Sequence, residues 1–276
     1  MDDDYSFRFG GIGRLYGQAG LQRLREARVA VVGLGGVGSW IVEALARSGV
    51  GHLTLIDLDE VCVSNVNRQL HALEGNIGRA KAAVLAERAR LIQPTISVDV
   101  QQVYFSERNA DALLSPGFDV VVDAIDALTP KAHLLAECCF RGIRVVTSGG
   151  AGGKRDATQI RVADITKAIN DPLLAMTRKK LRKDFGFPRE TRRRWRIPSV
   201  FSPEEPVYPH QDGSVCATPE PGTELRLNCD YGYGTATHIT GTVGFIMSGL
   251  VLQMLTEDIR RPINPRAIAE AKAQEA

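Results

Sequence analysis

The stretch that most narrows what this chain can fold into is residues 28–81. An apolar run over 28–32 ends in Gly33-Leu34-Gly35-Gly36-Val37-Gly38, and an apolar helical pattern follows from 40 to 47. A second β-type run, 52–56, ends in Asp57-Leu58-Asp59. The order is strand, glycine turn, helix, strand, acid. Asp57 stands 19 residues after Gly38, the spacing of a ribose-binding carboxylate in a nucleotide-binding βαβ unit. The glycines let the backbone turn sharply and approach a phosphate, and the helix start offers free N–H groups and a positive dipole end. Taken alone, the glycines would equally suit a tight turn that binds nothing. Their flanking strand, helix and acid point to a nucleotide.

The following residues bear on which nucleotide. Asn65, Asn67, Arg68 and Gln69 lie just beyond the second strand, and Gly78-Arg79-Ala80-Lys81 comes next. A dinucleotide dehydrogenase needs the glycines and Asp57 but not these groups. They suit a triphosphate with a leaving pyrophosphate. Arg68 can fork onto phosphate oxygens, Lys81 adds a compact positive charge, and Asn65 can bind a phosphate or ribose oxygen. Further on, 118–126 is a nearly continuous apolar strand that ends in acids, with Asp123 and then Asp126, as suits a parallel strand buried on both faces. Ligands of open parallel sheets gather at the carboxyl ends of strands, so Asp126 points to the same crevice as Gly33 and Asp57. Asp126 there suits a magnesium ligand. It could also cap the helix that begins near Pro130-Lys131.

In this order the motifs are similar to those of the ubiquitin-activating-enzyme-like ATP-dependent adenylyltransferases, over roughly residues 8–165 and again near 229–256. The resemblance implies ATP and Mg2+. It implies Gly33, Gly35, Gly36, Gly38, Asp57, Asp59, Asn65, Arg68, Gln69, Lys81 and Asp126 as nucleotide-binding residues, with Arg68, Lys81 and Asp126 catalytic and Asp126 on the metal. Members carry an arginine near the start that reaches the partner subunit's ATP. With Arg8-Phe9 as anchor, Gly11 occupies its place, and Arg14 is the next candidate, at a shifted position. This implies a homodimer; the alternative for Arg14 is a surface arginine beside a helix cap. Many sulfur-carrier relatives hold zinc through CxxC pairs. This chain has five cysteines and no CxxC, so no zinc is expected.

The expected fold is α/β: a Rossmann-like, mostly parallel sheet with helices on both faces, extended by further strands and a C-terminal helical and loop region. Residues 1–165 form the ATP-binding part and 166–276 an extension of the same domain. Residues 1–7 read as a frayed start, followed by a short helix over 21–27. An odd cysteine count and an acidic opening favour reduced thiols in a cytoplasm. Cys138 and Cys139 read as core. Cys229, just before a helix start, could accept an acyl group or sulfur from a transfer partner, or could be a packed structural thiol.

Net charge is only +2, but residues 178–196 hold ten Lys/Arg against two acids. A basic helix (Arg178, Lys179, Arg182, Lys183) and a long mobile loop over 186–223, with Arg192, Arg193, Arg194 and Arg196 around Trp195, form a candidate RNA phosphate surface. The alternative is a solvated face. The apolar run 238–255 is long enough to cross a membrane, but its Gly, Ser and Thr equally fit a helix packed under a sheet or at a dimer interface, and no stable insertion is expected.

Three further segments resemble one branch of that superfamily: Arg8–Gly17, Val145–Lys154, and Val207-Tyr-Pro with 212–217. Members of this branch use ATP to cyclise a threonylcarbamoyl group on a tRNA adenosine. The resemblance implies tRNA as partner and an acyl-adenylate intermediate. Activation of a ubiquitin-like sulfur carrier, a non-catalytic ATP-binding adaptor and an NAD-linked oxidoreductase are the alternatives.

Overall fold

The computed structural model describes residues 3–190, 193–220, 233–257 and 259–274. Five parallel strands alternate with helices: β1 (Arg28–Val32), β2 (His52–Ile56), β3 (Ser97–Gln101), β4 (Val120–Asp123) and β5 (Arg144–Ser148). β7 (Pro198–Phe201) pairs parallel with β5, and β6 (Arg161–Asp164) closes that edge antiparallel to β7. The order across the seven strands is β3-β2-β1-β4-β5-β7-β6. A two-stranded pair, β8 (Tyr208–Pro209) and β9 (Val215–Cys216), stands apart. The strand order reverses between β1 and β4, and the crevice outside their carboxyl ends is where such sheets bind ligands.

The central strands are buried on both faces, which explains their unbroken Val/Ala runs. One face carries α2 (Gly10–Glu26), α3 (Gly38–Arg47), α4 (Lys81–Ile92) and α8 (Thr237–Thr256). The other carries α5 (Ala110–Leu114), α6 (Leu128–Phe140) and α7 (Pro172–Asp184). Cys138 and Cys139 lie in that second core, and burial pushes both thiols up. α8 is the one helix among the described residues long and apolar enough to cross a membrane. Its Ile239, Val243, Met247 and Val251 pack against α2, α3 and the sheet. Gly244 permits this, because a Cβ there would sit 2.9 Å from the Val37 carbonyl oxygen.

Two expectations are corrected. The start is not frayed from residue 3 onward. α1 (Asp3–Arg8) docks through Tyr5, whose hydroxyl donates to the Gly49 carbonyl at 2.6 Å, and α2 begins at Gly10, well before the expected 21–27 helix, with a break at Gly17 (φ 75°). Nor is 186–223 one long mobile loop. β7 lies inside the sheet, and Phe187, Trp195 and Ile197 are buried. The charged run hid this, because β7 is only four residues long and opens with a proline directly after the arginines. Trp195 is fully buried (0 % exposed), its ring 4.7 Å from that of Phe187, so it is no platform for a nucleic-acid base. α9 (Pro265–Gln274) closes the described chain.

Burial of this size has a measurable consequence. Trp195→Ala is expected to destabilise the protein by about 3–5 kcal/mol, as for other buried aromatic truncations. Chemical denaturation reads this directly; a change within about 0.5 kcal/mol, the range of surface substitutions, would return Trp195 to the surface.

Candidate nucleotide-binding site

The glycine turn joins β1 to α3. Gly33 has φ +87°, and a Cβ there would lie 2.8 Å from the Ala124 carbonyl oxygen at the end of β4. A Cβ on Gly38 would overlap the Gly33 carbonyl oxygen. Side chains are excluded at both positions, so backbone N–H groups face the crevice at the start of α3. Asp57, at the end of β2, clamps this turn. Its Oδ2 accepts the Leu34 N–H at 2.6 Å and its Oδ1 accepts the Asp59 N–H at 2.8 Å. Burial pushes its carboxyl up against these two bonds.

Lys81, at the first position of α4, is only 6 % exposed, and its Nζ donates to Asp59 Oδ2 at 2.9 Å. The Tyr104 hydroxyl donates to Asp59 Oδ1 at 2.7 Å. Burial pushes the Asp59 carboxyl up, but the Tyr104 and Lys81 bonds outweigh it and hold it below the usual range. The Asp59 bond pushes the Tyr104 hydroxyl up, with the charges of Asp59, Asp57 and Asp126 adding to that effect.

Between these groups runs the segment 62–71. Asn65 is buried, and its Oδ1 accepts the Cys62 N–H at 3.1 Å, which leaves its amide nitrogen for a ligand. Arg68 donates to the Ser64 carbonyl and to Asn67 Oδ1, each at 2.9 Å. Its stem lies over Gly36, and its own carbonyl accepts the Trp40 Nε1–H at 3.2 Å. Gln69 is buried beside Gly35 with its Oε1 unpartnered. Burial, with the Lys81 charge, lowers His71 to about pKa 4, so this ring is neutral at physiological pH.

Asp126 is exposed beyond the end of β4 and makes no side-chain hydrogen bond among the described residues. It does not cap α6: the cap is Ala127, with no side-chain bond. Behind it, Lys131 and Asp123 form a fully buried ion pair at 2.8 Å.

The structure therefore brings Gly33, Gly35, Gly36, Gly38, Asp57, Asp59, Asn65, Arg68, Gln69, Lys81 and Asp126 to one end of the sheet. It does not bring Arg14 there. α1 and the start of α2 pack on Gly49 and Ile92, at the opposite, amino-end side. Arg193, Arg194 and Arg196 also lie at that amino end, beside Arg144 and Pro198, around a cavity of about 630 Å3. Asp164 holds this segment by accepting the N–H groups of Trp195, Arg196 and Ile197. On α7, Lys179 and Lys183 are exposed. Arg178 donates to the Ile165 carbonyl, and Arg182 lies 5.3 Å over the Trp195 ring. Arg192 and Cys229 lie outside the described residues. Sequence reasoning missed Tyr104, His71 and the Asp123–Lys131 pair. The available signals were an aromatic three residues past β3 and a lysine one turn into the helix after a strand-end acid.

The family model described as "ThiF family" matches residues 11–273. The chain belongs to the ThiF family. It is 48% identical over 253 residues to the tRNA threonylcarbamoyladenosine dehydratase of Haemophilus influenzae, covering 92% of this chain and 95% of the relative. It is 46% identical over 263 residues to the Escherichia coli protein of the same name, covering 95% and 98%. The solved structure of the E. coli dehydratase, TcdA, in complex with ATP superposes with a TM-score of 0.81 at 42% identity, covering 99% of this chain and 98% of that one. This ThiF-family chain thus shares its fold and nearly its full length with an ATP-bound relative.

Tyr104→Phe is expected to raise the Asp59 titration, because burial would then be opposed by Lys81 alone. The depressed Asp59 pKa contributes stability above the unfolded value of about 3.9, and that contribution is lost as pH falls through the folded value. The gap in melting temperature between wild type and variant should therefore be present at neutral pH and close on acidification below about pH 4. Carboxyl NMR titration checks it; an unshifted Asp59 would mean that Tyr104 does not hold it in solution.

Proposed function

We propose that this protein is an ATP-dependent tRNA threonylcarbamoyladenosine dehydratase. The observation that carries the reading is near-full-length similarity to dehydratases of that name, joined to a crevice whose glycine turn, Asp57, Arg68 and Lys81 converge on one nucleotide position. A carboxylate is a poor electrophile, since its leaving group would be oxide. Its oxygen attacks the α-phosphorus of ATP, the α–β bridging bond breaks, and pyrophosphate departs. Arg68, Lys81 and the N-terminal amides of α3 stabilise the charge that builds on the phosphates. A nucleophilic atom of the same threonylcarbamoyl group then attacks the acyl carbon, AMP leaves, and a ring closes. The attacking atom is already tethered, so positioning suffices and no enzyme nucleophile is required.

The site suits a hard cation. Asp126 is an exposed carboxylate at a strand end, and no group of three or more His, Cys, Asp or Glu side chains that could hold a metal occurs among the described residues. Such an ion takes one or two carboxylates, phosphate oxygens and water. Asp126 would hold Mg2+, which supplies charge neutralisation at the phosphates. A homodimer is part of the reading. Arg14 is remote from its own crevice, and α8 leaves Phe245 52% exposed against Trp40. tRNA as substrate implies a cytoplasmic enzyme.

Asp126→Ala and Arg68→Ala are expected to abolish tRNA-dependent pyrophosphate exchange while preserving the fold. Arg14→Ala chains mixed with Asp126→Ala chains should regain turnover if Arg14 acts across subunits. Mass spectrometry of tRNA nucleosides from a deletion strain tests the substrate: retention of the cyclic base would overturn the assignment, and exchange driven by a diglycine-tailed carrier protein would favour the sulfur-carrier alternative.

The exposed cations of α7 and the arginines at 192–196 are the proposed tRNA phosphate contacts. Reversing charge at Arg192, Arg193 and Arg194 should weaken tRNA binding, flatten its salt dependence and leave ATP affinity unchanged, because Arg193 and Arg194 lie at the end of the sheet away from the crevice. Filter binding across a salt series measures this; equal slopes for both proteins would make the run a solvated surface.

A further inference from the structure

Lys131 and Asp123 are both 0 % exposed, a rare placement for a full charge pair. Lys131 Nζ donates to Asp123 Oδ2 and to the Ile125 carbonyl, each at 2.8 Å. Thr147 Oγ1, from β5, donates to the same Oδ2 at 2.6 Å, and Asp123 Oδ1 accepts the Ile125 N–H at 3.1 Å. Both peptide groups of Ile125 are thus gripped, its N–H by the acid and its carbonyl by the lysine. The next residue is Asp126. The same turn lies against the nucleotide loop, since a Cβ on Gly33 would sit 3.1 Å from the Ile125 nitrogen.

A buried ion pair is a weak stabiliser, because desolvation offsets most of its attraction and apolar replacements are often equally stable. What this pair supplies is geometry. It fixes two peptide planes in a turn that no regular ladder holds, at the point where a carboxylate must face phosphate. We propose that Lys131 is a positioning residue for adenylation: through Asp123 and the Ile125 carbonyl it sets the turn that aims Asp126 into the nucleotide crevice. The proposal rests on Asp126 being the metal-holding acid.

Lys131→Met alone would leave Asp123 buried and unpaired, a change that can unfold the protein by itself. The test therefore uses Lys131→Met with Asp123→Asn, which removes both charges, and Thr147→Val, which removes one hydrogen bond from the acid. The expected double variant melts cooperatively and binds AMP by calorimetry as wild type does. Its affinity for ATP with Mg2+, and its pyrophosphate-exchange rate, should each fall by about tenfold or more, the scale seen when groups orienting a metal ligand are lost. Its Mg2+ half-saturation should rise. Thr147→Val should move the Mg2+ half-saturation in the same direction by less. On an Asp126→Ala background the double change should cost nothing further in ATP affinity.

A folded double variant with wild-type Mg2+ dependence would overturn the proposal, as would a loss that adds in full to that of Asp126→Ala. If the double variant does not melt cooperatively, an unchanged Mg2+ half-saturation in Thr147→Val overturns it. Full activity of Asp126→Ala alone would instead remove Asp126 as the metal acid, a distinct result.

Discussion

Backbone meets backbone at the carboxyl ends of β1 and β4, and the rest of the site depends on that contact. Gly33 lies so close to the Ala124 carbonyl that a side chain cannot enter, and Gly38 closes the turn over Gly33. Because the two strand ends touch, the amides that begin α3 and the acid that follows β4 open onto one crevice. Asp57 locks the glycine turn from β2 through the Leu34 N–H, and the buried Lys131–Asp123 pair holds the facing turn after β4 through both peptide groups of Ile125. The phosphate-facing backbone is thereby held from both sides before any nucleotide arrives, which is the preorganisation that electrostatic catalysis of phosphoryl and adenylyl transfer needs.

Charge is divided along the sheet axis. The carboxyl end concentrates Asp57, Asp59 and Asp126 with Lys81 and Arg68, a mixed set suited to a metal-bound polyphosphate. The amino end gathers Arg144, Arg193, Arg194, Arg196 and Arg260 around an apolar floor of Val145, Leu250 and Met254. Asp164 faces the same cavity, but it accepts three backbone N–H groups, so it organises the arginine segment more than it neutralises it. A small charged substrate would need one of these ends. A macromolecular polyanion can engage both, which suits a tRNA whose reacting base reaches the crevice while its backbone lies elsewhere.

The sequence by itself determined the nucleotide unit. Glycine spacing, a strand-end acid and a 3.6-residue apolar period are local properties, and each followed from steric and burial rules that tertiary packing did not change. They located the parallel strands and the crevice at their carboxyl ends, with Asp57 and Asp126 at the strand ends that open onto it. Tertiary structure decided what depends on partners distant in the chain. β7 is a strand because β5 and β6 bond to it, although its flanks read as an arginine loop. Trp195 is core because Phe187 and Arg182 cover it, and no local pattern distinguishes it from a surface aromatic. The same holds for Tyr104, set on Asp59 across 45 residues, and for Lys131, whose burial follows from the closure of β4, β5 and α6 around it. A helix-forming lysine reads as solvent-facing from sequence; only the packed fold removes the water and turns its charge onto a single turn of backbone.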